Sequence, residues 1–209
     1  KAIFAKHNPE VVYHCAATPH EGFSVFSPSL ITKNIFESSV SIFSASIAAK
    51  AKKIIFCSSM ARYGNQQNPF FESMIPKLID PYGIAKVASE DVLTTLAKVH
   101  EINYSIAVPH NIVGPYQKYD DPYRNVMSIM LNRMLQNKPP IIYGDGNQTR
   151  CFSYVDDCIS CLEKMAYENK TNNEVINIGP DEGEVTINEL AELCANEVGY
   201  NGKPIYYEK

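Results

Sequence analysis

Tyr82 and Lys86 stand four residues apart in Asp80-Pro81-Tyr82-Gly83-Ile84-Ala85-Lys86. Upstream, a hydroxyl pair, Ser58-Ser59, ends the apolar run Lys53-Ile54-Ile55-Phe56-Cys57. On a helix, residues i and i+4 share a face, so the ammonium lies beside the phenol. A neighbouring cation favours phenolate and lowers a tyrosine pKa from about 10. Such a tyrosine can act as a general base or acid near neutral pH. A serine at the tip of an adjacent strand can hydrogen-bond the same substrate oxygen. The spacing alone occurs on any helix, and its context gives it weight. Pro81 suits a helix start. Ala85, Ala88, Val92, Leu96 and Val99 follow as a stripe at helical spacing.

The elements that must position these residues alternate. Val11 to Cys15 reads as a strand. Ile31 to Ala51 reads as a helix with Phe36, Val40, Phe43 and Ile47 on one stripe. Lys53 to Cys57 is a continuous apolar run, as in a parallel strand covered on both faces. The tyrosine helix and a strand over Tyr104–Val108 come next. This alternation predicts βαβ units and a doubly wound parallel sheet, in which ligands bind at the carboxyl ends of strands. After Pro109 the pattern loosens. Asn111 to Pro115 is a turn, and Gln117 to Arg124 a polar loop with aromatics. Val126, Ile129, Met130 and Met134 mark a helix. Ile141-Ile142-Tyr143 leads into the tight turn Gly144-Asp145-Gly146. Val155 to Tyr167 reads as a helix, Glu174 to Ile178 as a strand, and Thr186 with Glu189 as a capping box opening a last helix that stops near Gly199.

Among 209 residues, 45% are hydrophobic and 20% charged, ordinary for a globular chain. The net charge of −4 does not suggest a nucleic-acid or anionic-membrane surface. No apolar run approaches the ~20 residues of a membrane helix. Cys158-x-x-Cys161 lies in an expected helix, with no second Cys or His pair at zinc-finger spacing. The six cysteines read as buried, reduced thiols rather than metal ligands, which points to a reducing, cytoplasmic compartment. None of the ten glycines forms the glycine-rich turn expected at the start of a dinucleotide-binding unit. The expectation is therefore a part of a longer protein.

Several motifs, in order along nearly the whole chain, resemble the extended short-chain dehydrogenase/reductases, in particular the NAD-dependent epimerase/dehydratase group and its UDP-glucose 4-epimerase-like nucleotide-sugar epimerases. His14-Cys15-Ala16-Ala17 resembles that family's His-x-Ala-Ala segment, and Ser58-Ser59-Met60-Ala61-Arg62-Tyr63-Gly64 its serine-rich strand end. The resemblance implies a Rossmann-type doubly wound sheet lacking its N-terminal part, with a smaller α/β substrate-binding region. It implies a partial NAD-binding domain over 1–115 and a nucleotide-sugar-binding region mostly over 116–209, interleaved near 150–180. The catalytic set it implies is Ser59, Tyr82 and Lys86. The implied cofactor-binding set is His14, Ala16, Ala17, Asn34, Ser58, Tyr82, Lys86 and Pro109. Ser59, Asn111, Asn125, Tyr143 and Arg150 are the implied substrate contacts, with Arg150 on the diphosphate, where a guanidinium fork suits phosphate. Two positions depart from the family's pattern: Val108 stands where arginine is usual, and Cys151 where aspartate is usual.

Absences narrow the implied reaction. The Asp-Glu pair of sugar 4,6-dehydratases is replaced by Met60-Ala61, and Ala61 occupies the place of the catalytic cysteine of GDP-mannose 3,5-epimerases. The expected activity is NAD-dependent 4-epimerisation of a nucleotide-diphosphate sugar, most simply a UDP-sugar, through a 4-keto intermediate. The alternatives are a reductase or dehydrogenase of the same family, or a non-catalytic nucleotide-sugar-binding protein. The expected assembly is a homodimer through the Ile31–Ala51 and Tyr82 helices, with no metal, nucleic acid or membrane partner.

Overall fold

The computed structural model describes residues 2–121, 123 and 125–208. Pro122 and Arg124, in the polar loop, lie outside the described residues. In chain order the N-terminal elements are α1 (Ala2–His7), β1 (Val11–His14), α2 (Glu21–Ser24), α3 (Pro28–Thr32), a π-helical segment (Lys33–Glu37), α4 (Ser38–Ala48), β2 (Lys53–Cys57), a 3-10 turn (Met60–Tyr63), α5 (Pro81–His100) and β3 (Asn103–Pro109). There follow β4 (Ile112–Val113), α6 (Val126–Leu135), β5 (Ile141–Tyr143), β6 (Thr149–Arg150), β7 (Ser153–Tyr154), α7 (Val155–Tyr167), β8 (Glu174–Ile178), β9 (Val185–Thr186), α8 (Ile187–Val198) and β10 (Ile205–Tyr207).

The chain divides into two compact units, 1–110 with 158–178, and 111–157 with 179–209. The first is built on a parallel sheet ordered β1-β2-β3-β8. Because all four strands run the same way, their carboxyl ends lie along one edge. Residues 15–17, 58–59 and 109 are carried there by chain direction alone. On one face, Ile54, Phe56, Ile106 and Val108 pack against Phe43 of α4 and Leu93 and Ala97 of α5. On the other, Tyr13 donates to the Leu162 carbonyl of α7 at 3.3 Å. β2 is buried from Lys53 to Phe56, as a strand covered on both faces must be.

Two stripes fall differently from the sequence expectation. The residues fully buried from the Ile31–Ala48 helical stretch are Ile31, Ile35, Ser39, Phe43, Ala45 and Ser46, while Phe36, Val40 and Ile47 are half-buried. On α5 the buried face is Tyr82, Ala85, Lys86, Ser89, Glu90, Leu93 and Ala97, and Val99 is exposed. Both faces carry polar residues that a search for apolar periodicity passes over. The cysteines differ too: Cys158 and Cys194 are buried, Cys57, Cys151 and Cys161 half-buried and Cys15 exposed, all as free thiols.

The second unit has two-stranded pairings only, β4 with β7, β5 with β10 and β6 with β9. Its core is Met130 and Met134 of α6 against Ile142 and against Ile187, Leu190, Ala191 and Cys194 of α8. The capping box is formed at α8, with Thr186 accepting from the Glu189 amide and Glu189 from the Thr186 amide at 2.7 Å. Gly199 closes the helix in the left-handed conformation at φ 68°.

Candidate active site

Asp80 caps α5, its Oδ1 accepting from the Gly83 amide at 2.8 Å, and Pro81 fills the first turn where no donor is needed. This fixes the start of α5 against the turn after β2. Gly83 lets the two approach: a Cβ there would stand 3.0 Å from the Ala61 carbonyl oxygen. The approach brings the Tyr82 phenol beside Ser59, near enough for the serine hydroxyl to act on its titration. Ser59 Oγ also accepts from the Ala61 amide at 3.2 Å, capping the 3-10 turn. One helical turn on, Lys86 is buried and donates to the Cys57 carbonyl at 2.7 Å. Its Nζ lies 6.0 Å from the Tyr82 ring centroid and 5.0 Å from that of Phe56. Ser59, Tyr82 and Lys86 thus form one cluster at the carboxyl edge of the sheet.

The electrostatics correct one expectation. Burial raises the Tyr82 pKa above its ordinary 10, and the Ser59 hydroxyl pulls it back only in part. Glu21, Asp80 and Cys57 add to the rise. Desolvation also works on the lysine, lowering Lys86 to about 8 against the opposing pull of Cys57, Cys15 and Glu90. Both groups are held toward their neutral forms, the opposite of what spacing alone predicts for the tyrosine.

The other expected residues of this unit divide. Ala16 is exposed and Ala17 half-buried just past β1, and Pro109 ends β3 opposite Ile178. Asn34 sits exposed in the π-helical segment and donates to Thr18 Oγ1 at 3.0 Å, tying that segment to the stretch after β1. π-helical turns are frequent at functional sites. The His14 ring, however, is committed to the core. It is 2.9 Å from Ser39 Oγ, stacked on Phe56 at 5.5 Å and edge-on to Phe43. Burial first, and the Lys86 charge second, lower its pKa to about 4, so it is neutral at pH 7. Ser58 is likewise turned inward, its hydroxyl bonded to the Glu90 carboxylate.

Glu90 is the residue sequence reasoning missed. It is buried, receives Ser58 on one oxygen and stands 3.5 Å from the buried Arg62 guanidinium on the other. Nε and one terminal nitrogen of Arg62 have no hydrogen-bond partner among the described residues. The signal was available: Tyr82, Lys86 and Glu90 are spaced i, i+4, i+8 on one helix face.

In the second unit, Asn111 adopts φ 40° and donates from Nδ2 to the carbonyl of Cys151, the residue after Arg150, at 3.0 Å. Arg150 is exposed and pairs opposite Val185, its guanidinium donating to the Thr149 carbonyl at 2.7 Å. Tyr143, 60% exposed, ends β5 on the other side of the 144–146 turn. Asn125 caps α6 through Oδ1, which accepts from the Met127 amide at 3.0 Å. Its side-chain oxygen is therefore engaged by the helix. No group of three or more His, Cys, Asp or Glu suited to a metal occurs among the described residues, and no described helix is long and apolar enough to cross a membrane.

Residues 1–179 match the family of NAD dependent epimerases/dehydratases. The chain belongs to that family. It is 34% identical over 201 residues to a putative UDP-glucose 4-epimerase of Methanocaldococcus jannaschii, covering 94% of this chain and 64% of the relative. It is 33% identical to a UDP-N-acetyl-alpha-D-glucosaminuronate decarboxylase of Bacillus cytotoxicus, covering 88% of this chain and 57% of the relative. The fold superposes on the crystal structure of Thermotoga maritima UDP-glucose 4-epimerase with UDP-glucose at a TM-score of 0.92 and 34% identity, covering 99% of this chain and 67% of that one. The chain thus spans about two thirds or less of the proteins it matches.

Proposed function

We propose that this chain is the catalytic portion of an NAD-dependent nucleotide-sugar 4-epimerase acting on a UDP-sugar. The observation that carries the reading is the cluster of Ser59, Tyr82 and Lys86 at the carboxyl edge of a parallel sheet. The donor set fits a dinucleotide. Lys86 has three donors and spends one on the Cys57 carbonyl, so donor capacity remains for a ribose hydroxyl. Ala16, Ala17, Asn34 and Pro109 mark the same edge. Of the expected cofactor contacts, the side chains of His14 and Ser58 are not part of the proposal, since both point into the core.

When bound, NAD supplies the hydride acceptor and donor for the sugar C4. Tyr82 exchanges the proton of the 4-hydroxyl. Held as a phenol by burial, it is set to return a proton to a 4-keto sugar. The Ser59 hydroxyl acts in the other direction, toward phenolate. Arg150, Tyr143, Asn111 and Asn125 bind the nucleotide-sugar end, Arg150 by donating to the diphosphate. We assign the NAD-binding role to residues 1–115 and the nucleotide-sugar role mostly to 116–209, with interleaving near 150–180.

The test is direct. With NAD and UDP-glucose, NMR should reveal UDP-galactose, and Tyr82→Phe should lower its rate by roughly 10²–10⁴-fold. Recovery of UDP-glucose unchanged, with the nucleotide demonstrably bound, would overturn the reading. We further propose a cytoplasmic homodimer joined through the 28–48 helical stretch and α5, whose outer surfaces expose Leu30, Ser41, Ser44 and Ile84. Light scattering of a micromolar solution distinguishes this from a monomer.

A further inference from the structure

Cys15 and Cys57 are neighbours across two strands. His14 of β1 is paired with Phe56 of β2, so the next step of the register sets Cys15 opposite Cys57. Their Sγ atoms are 3.5 Å apart, with the Cys57 thiol directed at Cys15. Neighbouring strands run about 4.8 Å apart, inside the roughly 4.4–6.8 Å that a disulfide spans between Cα atoms. Side-chain rotation is enough to close the bond. Cys15 is exposed, so a small oxidant reaches it, and Cys57 is half-buried behind it. The backbone of Cys57 also holds Lys86, through its carbonyl at 2.7 Å.

We propose that Cys15 and Cys57 form a dithiol that peroxide converts to an intrachain disulfide between β1 and β2. The Cys15 thiolate attacks one oxygen of hydrogen peroxide, giving a sulfenic acid and releasing hydroxide. Cys57 sulfur then attacks the sulfenic sulfur, and the departing hydroxide leaves as water with the Cys57 proton. Two thiols lose two protons and two electrons, and the peroxide becomes two waters. The division of labour matches the local electrostatics. The Cys57 hydrogen bond, and more weakly the Lys86 charge, lower Cys15 to about 7 against the local desolvation of its sulfur by the neighbouring strand. The bond to Cys15 together with burial raises Cys57 well above an ordinary thiol. One thiol is thus the attacking group and the other the resolving one. Cys158, buried on α7 and close enough to bear on both charges, is the competing partner. The inference holds whether or not the chain epimerises a sugar.

The test treats the folded 209-residue chain with stoichiometric hydrogen peroxide, then digests it and maps thiols by mass spectrometry. The expected product is a Cys15–Cys57 linked peptide, lighter by two hydrogen atoms and restored by dithiothreitol. Cys57→Ala should leave Cys15 trapped as a sulfenic acid that dimedone labels, and Cys15→Ser should leave Cys57 a free thiol. A Cys15–Cys158 link, over-oxidation of Cys15 with Cys57 still free, or the same mixture of links from urea-unfolded chain would each overturn the proposal. The last comparison uses the unsubstituted chain, so it stands even if a variant fails to fold.

Discussion

The two units hold several of their chemistry-bearing residues in opposite states. In the parallel-sheet unit, Tyr82, Lys86, Ser58, Glu90 and Arg62 are all buried, and each lies beside another polar group or a backbone carbonyl. In the second unit Tyr143 and Arg150 are exposed, on strands of three and two residues flanking a turn. A buried polar group without its partner costs far more than an exposed one. Substitutions in the first unit should therefore damage fold and chemistry together. Those at the exposed positions of the second should separate binding from stability.

The strongest way to break this contrast is Glu90→Ala. It removes the carboxylate beside Arg62 and strands a buried guanidinium, which typically costs about 3–5 kcal/mol. Urea unfolding should show the midpoint falling by a corresponding amount. Glu90→Gln, which keeps a partner for Ser58 but not the charge, should fall between. An unchanged midpoint in Glu90→Ala would mean that the network contributes nothing and that burial is no guide to cost here.

His14 gives a pH-dependent version of the same test. Its folded pKa, about 4, lies below the ordinary 6.5. Between those values the unfolded chain binds more protons than the folded one, so stability rises with pH over that window and is flat above it. The total, from a shift of this size in a buried ring, is on the order of 3 kcal/mol. Stability measured at pH 7 and pH 4 should differ by that order in the natural chain. His14→Phe, which keeps a ring against Phe43 and Phe56, should show less of the difference. Equal acid sensitivity in both would remove His14 as its source.

Much of the fold was legible in the sequence. β2 announced itself as a continuous apolar run, α7 and β8 fell on their expected limits, and Thr186 with Glu189 capped α8 as the motif requires. What escaped has physical causes. The π-helical turn at Lys33–Glu37 is set by hydrogen-bond register, which leaves no compositional mark. β10 has three exposed residues and exists only because β5 pairs with it. At the candidate site, Ser58 and Ser59 are indistinguishable as letters. In the structure one turns inward to Glu90 and the other meets Tyr82. The tyrosine's pKa went astray for a related reason: spacing places the lysine but says nothing of how dry the phenol is.

A smaller effect is expected at Thr186. Its hydroxyl accepts from the Glu189 amide at 3.1 Å, and Thr186→Ala loses that cap. N-cap losses cost about 1 kcal/mol. The change should appear as a modest fall in the urea midpoint, with Thr186→Ser restoring most of it. A loss as large as that of Glu90→Ala would show the second unit to be no more tolerant than the first.

Arg150 should bring the stability effect close to zero and leave the binding effect standing alone. Its guanidinium is exposed and its described hydrogen bond goes only to the adjacent Thr149 carbonyl. Surface substitutions of this kind usually stay within about 0.5 kcal/mol, so the Arg150→Ala midpoint should match the natural chain. Hydrogen bonds to charged groups contribute roughly 1.5–3 kcal/mol, so UDP affinity by calorimetry should drop roughly ten- to a hundredfold. Lys at this position should recover only part of that, because a point charge cannot reproduce the two-pronged fork. The loss should be the same for UDP and UDP-glucose, since the contact proposed is to phosphate. If Arg150→Ala binds UDP as the natural chain does, the 144–150 turn is not the diphosphate site. If it unfolds the protein instead, exposure is not what separates the two units.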